Sequence, residues 1–320
     1  MSNRFHLATF FLVALASFAY SAMPSKLTVG VIVGPSGIGM ARVMSDPPNI
    51  PDVSISFVKA GSIDILLSKL LNGDVDIGIL PPNVAAKIHS QAPNSIEVAS
   101  VVGNGMLSII TRDTSISRLA DLAGKTVYLA GQGSTPEYVL KTLIARNGIR
   151  EGSIRLEYSI PYQEIAPSLV AGKIQYALVP EPFATVAILS GGGEKPVRRA
   201  FLLRDAWKEA GLGEDFPMTL CVVRKTYASR HPETVSRFLA AYRSSVEWTV
   251  AHPVEAGYLV EAQGLGLKAE VAARAIPSCN FVWIDARDAR KGIEALLGVF
   301  LEYAPVSVGG NLPDGSFYRK

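Results

Sequence analysis

Apolar residues form short runs that are typical of buried strands, and these runs alternate with stretches in which apolar positions recur at helical spacing. The segments Lys26 to Gly34 and Asp52 to Gly61 are rich in β-branched residues and end in glycine, as strands that lead into turns do. The segment SIDILLSKLLNG places its leucines and isoleucines three and four residues apart, and Asn72-Gly73 ends it, which predicts an amphipathic helix. Strands that alternate with helices predict an α/β fold with a mostly parallel sheet.

A helix-turn-strand unit occurs twice along the chain. The segment GDVDIGILPP, which starts at Gly73, has a counterpart in GKIQYALVPEP, which starts at Gly172. In both, an amphipathic helix ends on the glycine, a short turn leads into a buried strand, and the strand stops at a proline. This repetition predicts two α/β lobes of similar design, each with its own sheet. The alternative is a chance likeness between two ordinary units.

The chain is expected to leave the first lobe, build the second and then return. The second lobe begins near TSISRLADLAGKTVYLAGQG, and the strand-like segment PMTLCVVRKTY carries the chain back to the first lobe, where four helical segments follow. The predicted division is residues 22–111 for the first part of lobe 1, 112–217 for lobe 2 and 218–320 for the returning part. Two crossings between lobes predict a two-strand hinge.

Composition supports a compact protein and argues against nucleic-acid binding. The chain has 320 residues, of which 48% are hydrophobic and 18% are charged, and this length fits two domains. Its formal net charge is +3, and basic residues do not cluster beyond short pairs such as Arg198-Arg199. A surface that binds phosphate backbones therefore has no basis in the sequence.

Residues 1–21 are typical of a secretory signal peptide. Arg4 precedes an apolar run from Leu7 to Tyr20, which is shorter than the roughly 20 residues that span a bilayer. Ala19 and Ser21 place small side chains before a possible cleavage site. We expect a mature protein that is soluble and outside the cytoplasm; the alternative is an N-terminal membrane anchor that is retained.

The cysteines and histidines give no metal, redox or catalytic pattern. Cys221 and Cys279 each lie in apolar segments, and they could form one disulfide or remain two buried thiols. The histidines show no spacing that is typical of metal ligands. No catalytic residue, metal site or cofactor is predicted.

Four segments in order resemble a known family. They are GSIDILLSKLLNGDVDIGILPP, ADLAGKTVYLAGQGSTPEYVLKTLIARNGI, LVAGKIQYALVPEPFAT and TYASRHPETVSRFLAAYRSSVEWTVAHPVEA. From Lys26 to Ala304 the chain resembles the extracytoplasmic solute-binding proteins of ABC importers, in the branch that serves nitrate, sulfonates, taurine and thiamine-precursor pyrimidines. The resemblance implies the two-lobed type II periplasmic-binding fold, a small-molecule ligand held between the lobes, a membrane permease as partner, and a monomer without a cofactor.

The sequence departs from this family at two points. Gln175 stands where many relatives have an acid, whereas the first copy of the repeated unit has Asp76. Bacterial members are often lipoproteins, but no cysteine follows the apolar run here, so a lipid anchor is not expected. The implied location is periplasmic or extracellular.

The ligand is expected at turns that follow strands, because ligands of open α/β sheets bind beyond the carboxyl ends of the strands. The first turn is GPSGIG, whose glycines let backbone N–H groups face an anionic group at a helix start. It lacks the Gly-Lys-Ser/Thr of a Walker loop and the spacing of a dinucleotide fingerprint. We predict ligand contacts from Ser36 and Gly37; a glycine-rich turn without a ligand is the alternative.

The second turn is GQGSTPEY, at the start of a predicted helix in lobe 2. Ser134 or Thr135 can cap this helix, and Glu137 can complete a capping box from Ser134. Capping alone would explain these residues, but a helix start with two hydroxyls also suits an anionic group. The predicted contacts here are Gln132, Ser134, Thr135 and Tyr138.

The remaining candidates lie at other strand ends. Proline stiffens two of these ends, and Asn83 offers both a donor and an acceptor. Glu181 would favour a ligand with an amino or cationic group, unless it serves the hinge or caps a helix. The predicted contacts of this set are Gly61, Ser62, Pro82, Asn83, Ser108, Tyr162 and Glu181.

Two other functions compete with transport. An enzyme on the same fold, acting on a pyrimidine or a menaquinone-precursor-like molecule, would need a positioned nucleophile, base or metal set. A sensing domain of a regulator would be preceded by a helix-turn-helix, and an apolar export signal stands there instead.

Overall fold

The structure, a computed structural model, describes residues 25–129 and 132–320, apart from the side chain of Tyr162. The predicted signal peptide, residues 1–21, lies outside the described residues. Within these ranges the strands are β1 (Ser25–Ile32), β2 (Val53–Ala60), β3 (Ile77–Leu80), β4 (Ile96–Asn104), β5 (Leu107–Thr111), β6 (Thr126–Leu129), β7 (Arg155–Glu157), β8 (Tyr176–Pro180), β9 (Arg198–Leu202), β10 (Pro217–Arg224) and β11 (Phe281–Asp285). They form one sheet in the order β11-β4-β10-β3-β1-β2 and another in the order β7-β6-β8-β5-β9.

Helices flank both sheets. The α-helices of the described residues are α1 (Ala41–Ser45), α2 (Ile63–Asn72), α3 (Pro82–Gln91), α4 (Thr135–Arg146), α5 (Tyr162–Val170), α6 (Phe183–Ser190), α7 (Leu203–Glu209), α8 (Lys225–Arg230), α9 (Pro232–Ala251), α10 (Pro253–Ala262), α11 (Ala269–Ala275) and α12 (Ala286–Tyr303). None of them is long and apolar enough to cross a membrane. The predicted α/β architecture with a separate sheet in each lobe is confirmed.

The repeated unit is the same structure in both lobes. Gly73 after α2 and Gly172 after α5 both adopt left-handed backbone conformations, with φ of 84° and 74°. The N–H that follows each glycine bonds back into its helix, Asp74 to the carbonyl of Lys69 and Lys173 to that of Ser168, both at 2.9 Å. Each helix therefore ends with the same 6→1 bond, and a strand follows.

The matching residues Asp76 and Gln175 of the two units lie in different surroundings. Asp76 is buried; it accepts hydrogen bonds from the N–H of Thr28 at 2.9 Å and from Arg224 at 2.5 Å. Gln175, at the matching position of lobe 2, is exposed. The acid of the first copy is therefore a buried partner of Arg224, whereas its counterpart in the second copy is a surface residue.

Each sheet is mixed, whereas the sequence predicts mostly parallel sheets. The strands β1, β2 and β3 run parallel, as do β6, β7 and β8. The first strand after each crossing runs the other way: β10 is antiparallel to β3 and β4, and β5 is antiparallel to β8 and β9. Since the chain enters lobe 2 at the end where β8 finishes, its first strand there has to run in the opposite direction.

The first crossing lies earlier in the chain than the sequence predicts. β4 belongs to the six-stranded sheet and β5 to the five-stranded sheet, so the chain crosses at Gly105-Met106 and Leu107–Thr111 is part of lobe 2 rather than lobe 1. The return passes through α7 to Pro217, where β10 begins. The segment PMTLCVVRKTY does return the chain to the first sheet, as predicted.

The described residues form three hydrophobic clusters. One lies within lobe 1, between β1, α1, α9 and α10, and one lies within lobe 2, between β8, α5 and α6. The largest contains residues of both lobes, because α12 packs on the first sheet and also contacts α4 of lobe 2. The lobes therefore share apolar packing away from their crossings.

The last residues pack against lobe 1. Phe317 is fully buried, the N–H of Arg319 donates to the carbonyl of Val98 at 2.8 Å, and the Arg319 side chain pairs with Glu97. The sequence gives no reason for this contact. Cys221 and Cys279 are both buried and unpaired, which decides between the two alternatives for the thiols.

Candidate functional site

The carboxyl ends of the parallel strands in the two lobes face each other. In lobe 1, Ile32 pairs with Ala60 at the ends of β1 and β2, and β10 starts beyond the end of β3. In lobe 2, Leu107 at the start of β5 pairs with Pro180 at the end of β8. Both crossings thus join the carboxyl edges of the two sheets. We call the space beyond these edges the cleft, and the turns that follow the strands begin at it.

The first turn of lobe 1 holds Ser36 and Gly37 in a 3₁₀ helix, Pro35–Met40. Ser36 is partly exposed, whereas Gly37 is buried and donates its N–H to the carbonyl of Gly34 at 3.1 Å. A Cβ on Gly37 would lie 2.6 Å from the carbonyl oxygen of Ile32, so close packing of the turn on its own strand requires this glycine.

Ser245 on α9 supports this turn from behind. Its hydroxyl is buried, donates to the carbonyl of Gly39 at 2.8 Å and accepts from the N–H of Val43 at 3.1 Å. No pattern in the sequence selects Ser245, because only the fold brings α9 to the turn.

The other two turns of lobe 1 start helices. Ser62 is the N-cap of α2 and accepts a hydrogen bond from the N–H of Ile65 at 3.3 Å, while Gly61 before it is exposed. Pro82 and Asn83 are the first two residues of α3, with Pro82 buried and Asn83 partly exposed. The Asn83 amide makes no hydrogen bond to the described residues, so its donors and acceptor remain available to a ligand.

The start of α4 differs from the capping box that the sequence predicts. Ser134 is the N-cap residue, but its hydroxyl makes no capping bond to the helix. Glu137 reaches one residue further back, to the N–H of Gly133 at 2.5 Å, and it also pairs with Lys141. Burial alone would raise the pKa of the Glu137 carboxyl, but the hydrogen bonds from Lys141 and Gly133 lower it overall.

Of the other candidates on this turn, one is exposed, one is buried at the helix start and one is used in packing. Gln132 is exposed and Thr135 is 9% exposed at the helix start. The ring of Tyr138 stacks on Tyr303 of α12, with ring centres 5.6 Å apart, and meets Phe300 edge-on at 5.2 Å. Tyr138 therefore joins the lobes through apolar contact.

Glu181 and Ser108 are brought together by an arginine that the sequence analysis did not select. Arg199 on β9 donates from Nε to the hydroxyl of Ser108 at 3.1 Å and pairs through Nη2 with the Glu181 carboxylate. Glu181 also accepts from the N–H and the hydroxyl of Thr185, at 3.2 and 2.7 Å. Glu181 therefore caps the first turn of α6, which is one of the alternative roles that the sequence allows for it.

Arg199 was visible in the sequence only as part of the pair Arg198-Arg199. A charged residue at the start of an otherwise apolar strand was the available signal, because β9 continues as Ala-Phe-Leu. Arg198 points to the other face and donates to the carbonyl of Asp113 at 2.7 Å. Tyr162 is the first residue of α5, and its side chain lies outside the described part of the chain.

The thiols are not placed for nucleophilic chemistry. Burial raises the pKa of the Cys221 thiol to about 12, and it raises that of Cys279 further, with the Glu181 carboxylate as a second cause. Among residues 25–129 and 132–320, no group of three or more His, Cys, Asp or Glu side chains could hold a metal ion.

Comparison with known proteins gives both a family match and similar folds. The profile of the family described as NMT1/THI5 like matches residues 52–256. The taurine-binding periplasmic protein of Escherichia coli strain K12 is 26% identical over 248 residues, which are 76% of this chain and 72% of that protein. A crystal structure of an ABC transporter protein from Parabacteroides distasonis has a TM-score of 0.79 at 24% identity, and the match covers 92% of this chain and 99% of that one.

A second solved structure has the same architecture. The periplasmic aliphatic sulphonate binding protein of Escherichia coli matches with a TM-score of 0.72 at 19% identity, over 93% of this chain and 92% of that one. The expected periplasmic-binding-protein fold is thereby confirmed.

Proposed function

Since the chain belongs to the NMT1/THI5-like family, we propose that it is the extracytoplasmic solute-binding receptor of an ABC importer. The observation that carries this proposal is the pair of facing carboxyl edges, joined by two crossings, with turns and helix starts from both lobes around one cleft. The names of the similar proteins, a taurine-binding and an aliphatic sulphonate binding periplasmic protein, support the same role.

The ligand we propose is a small polar molecule, with anionic and aromatic solutes as the classes to test first. Lobe 1 would contact it through Ser36, Gly61 and Asn83, and lobe 2 through Gln132 and Thr135. Backbone N–H groups at helix starts add a positive electrostatic field that favours negative groups. A ligand that touches both lobes stabilises the closed arrangement, which a permease can then distinguish from the open one.

The partner and the location follow from the same role. We infer that the protein works outside the cytoplasm as a monomer, and that the partner is an ABC permease in the membrane. Residues 1–21 would direct export, and the mature chain would begin near the start of β1.

Native mass spectrometry of the protein purified without refolding tests the receptor function. A co-purified solute of low mass is the expected result, and adding that solute at one hundred times its Kd should stabilise the fold by about 2.7 kcal/mol. Asn83→Ala should weaken its binding, because this amide has no other partner among the described residues. The matched control is Ser54→Ala on the exposed side of β2, which should bind as the wild type does.

Two results would contradict the receptor function. One is the absence of any bound solute together with no stabilisation by nitrate, sulfonates, pyrimidines or aromatic acids. The other is the turnover of a bound solute into a product, which would favour the enzyme on the same fold.

A further inference from the structure

Arg199 brings a positive charge to the base of the cleft. Its guanidinium extends from β9 across Ser108, the second residue of β5, to Glu181, the residue that follows β8. The N–H of Glu181 donates to the carbonyl of Met106 in the first crossing at 3.0 Å. The three side chains therefore meet where the chain passes between lobes.

The acid of this group cannot face a ligand. One oxygen of Glu181, Oε1, pairs with Arg199, and the other, Oε2, accepts both hydrogen bonds from Thr185. The Glu181 side chain is 0% exposed, whereas the Arg199 side chain is 26% exposed. The part of the pair that solvent reaches therefore belongs to Arg199, whereas the sequence predicts an acid in the cleft.

The guanidinium is held in one orientation and still has donors left. Ser108 takes the Nε–H and Glu181 takes one Nη2–H. The Nη1 group makes no hydrogen bond to any residue that the structure describes. Because a guanidinium is planar, fixing Nε and Nη2 also fixes the direction of the Nη1 hydrogens. A fixed, mostly buried donor of this kind loses little entropy when it binds an anion.

We propose that Arg199 is the anion-binding group of the cleft and that the ligand carries a carboxylate or sulfonate that accepts from Nη1. This inference rests on the proposed receptor function and narrows its ligand class. Charge-assisted hydrogen bonds to a desolvated guanidinium are stronger than neutral ones, so they select an anion over its uncharged analogue. Ser108 and Glu181 act through Arg199 as positioning residues.

Binding of two pairs of probes tests the inference. The anions are 1-propanesulfonate and benzoate, and their uncharged counterparts are propanesulfonamide and benzamide. Isothermal titration should show that the wild type prefers the anion of a pair by at least about tenfold, and that Arg199→Gln loses this preference. Arg199→Lys should keep part of the preference for the anion, because lysine retains the positive charge but lacks the planar guanidinium.

Two control variants separate ligand contact from a structural role. Arg198→Gln removes the same charge from the same strand on its other face and should keep the preference for the anion. Glu181→Gln has one acceptor oxygen where the carboxylate has two, so it loses its bonds to Arg199 or to Thr185 and should lower the Tm, but it retains the guanidinium and should keep most of the preference for the anion. An arginine that only stabilised the fold would instead give similar losses of this preference in Arg199→Gln and Glu181→Gln.

Each outcome of these measurements supports or overturns the inference. The inference is wrong if the uncharged probe binds as well as the anion, or if Arg199→Gln retains the preference; the receptor function then still stands. If no probe binds but a solute co-purifies, an anionic solute supports the inference and a neutral or cationic solute overturns it. If no probe binds and nothing co-purifies, the receptor function fails, and the inference fails with it.

Discussion

Asp215 accepts a hydrogen bond from the backbone N–H of Gly105 across 3.0 Å, and this bond joins the two segments by which the chain passes between its lobes. The other oxygen of the same carboxylate accepts from the side chain of Asn280 at 2.7 Å. Asn280 in turn donates to the carbonyl of Gly105 at 3.2 Å. The hinge is therefore a closed set of hydrogen bonds rather than two loose connections.

Asp215→Ala should open this set and destabilise the protein. Loss of the carboxylate leaves the Gly105 N–H and the Asn280 amide without their charged acceptor. Hydrogen bonds to charged groups contribute about 1.5 to 3 kcal/mol each. We expect a lower free energy of unfolding in urea, measured by circular dichroism, of about that size. Ligand affinity should change as well, because the hinge sets how the lobes approach each other.

The exchange Asp215→Asn with Asn280→Asp is the control. In Asp215→Asn alone, the new amide places its NH2 group against another N–H donor, either that of Gly105 or that of Asn280. In the double variant, the NH2 group of residue 215 can donate to the carboxylate of residue 280. The double variant should regain part of the lost stability, and Asp tolerates the left-handed backbone of residue 280, where φ is 53°. A double variant no more stable than Asp215→Asn would show that these bonds are not coupled.

Gly105→Ala should also destabilise the hinge. A Cβ at this position would lie 2.6 Å from the Asp215 carboxylate and 2.8 Å from the ring of Phe216. The carboxylate cannot move without breaking the hydrogen bonds above, and the fully buried ring of Phe216 has no room to move. Overpacking of this kind costs about 1 to 3 kcal/mol. Gly298→Ala on α12 meets nothing within 4 Å and should instead stabilise the helix by about 1 kcal/mol. Thermal unfolding of both variants measures the contrast.

The overall fold could be predicted because its signals are local. The spacing of Leu66 and Leu70 and the stop at Gly73 define α2 within one short segment, and the structure confirms it. The same signals at Gly172 reveal the second lobe. The strand β5 was assigned to the wrong lobe because its apolar run looks the same in either sheet, and only pairing with β8 decides.

The candidate site could be predicted only as far as strand ends indicate it. Sequence patterns place Ser36, Asn83 and Thr135 next to strand ends, but they do not show which polar groups already have partners. The Ser62 hydroxyl already caps α2, and the Glu181 carboxylate already pairs with Arg199, which lies 18 residues later in the chain on β9. Long-range partners such as these require the tertiary structure.

Glu137→Gln should reduce stability in a way that depends on pH. The folded protein lowers the pKa of Glu137 below its usual value of 4.5, so the charged carboxylate contributes stability above that pH and loses it as the pH falls through the folded pKa. The variant should be less stable by about 1.5 to 3 kcal/mol at pH 7, and the difference should shrink at pH below 4.5. Urea unfolding across this range measures it, with exposed Glu151→Gln as control. A difference that is constant with pH would contradict the assignment.

Phe317→Ala should show that the C-terminal segment is part of lobe 1. The ring is fully buried and meets His89 edge-on, with ring centres 5.1 Å apart. Loss of a buried phenylalanine costs about 3 to 5 kcal/mol. Replacing the exposed Lys320 by Ala should cost almost nothing, and equal midpoints in urea for both variants would mean that the segment does not contribute to the folded core.

Tyr138 separates packing between lobes from contact with the ligand. Tyr138→Phe keeps the stacking on Tyr303 and the edge contact with Phe300, and it removes only the hydroxyl. Because the ring is 9% exposed and already has these partners, the ligand affinity of Tyr138→Phe should stay within about twofold of the wild type. A larger loss of affinity would show that the Tyr138 hydroxyl contacts the ligand. Tyr303→Ala removes the partner instead and should weaken the lobe contact, and Tyr303 is not one of the proposed ligand contacts. Its ligand affinity should therefore change only through the balance of open and closed forms, which small-angle scattering of the ligand-free protein can measure.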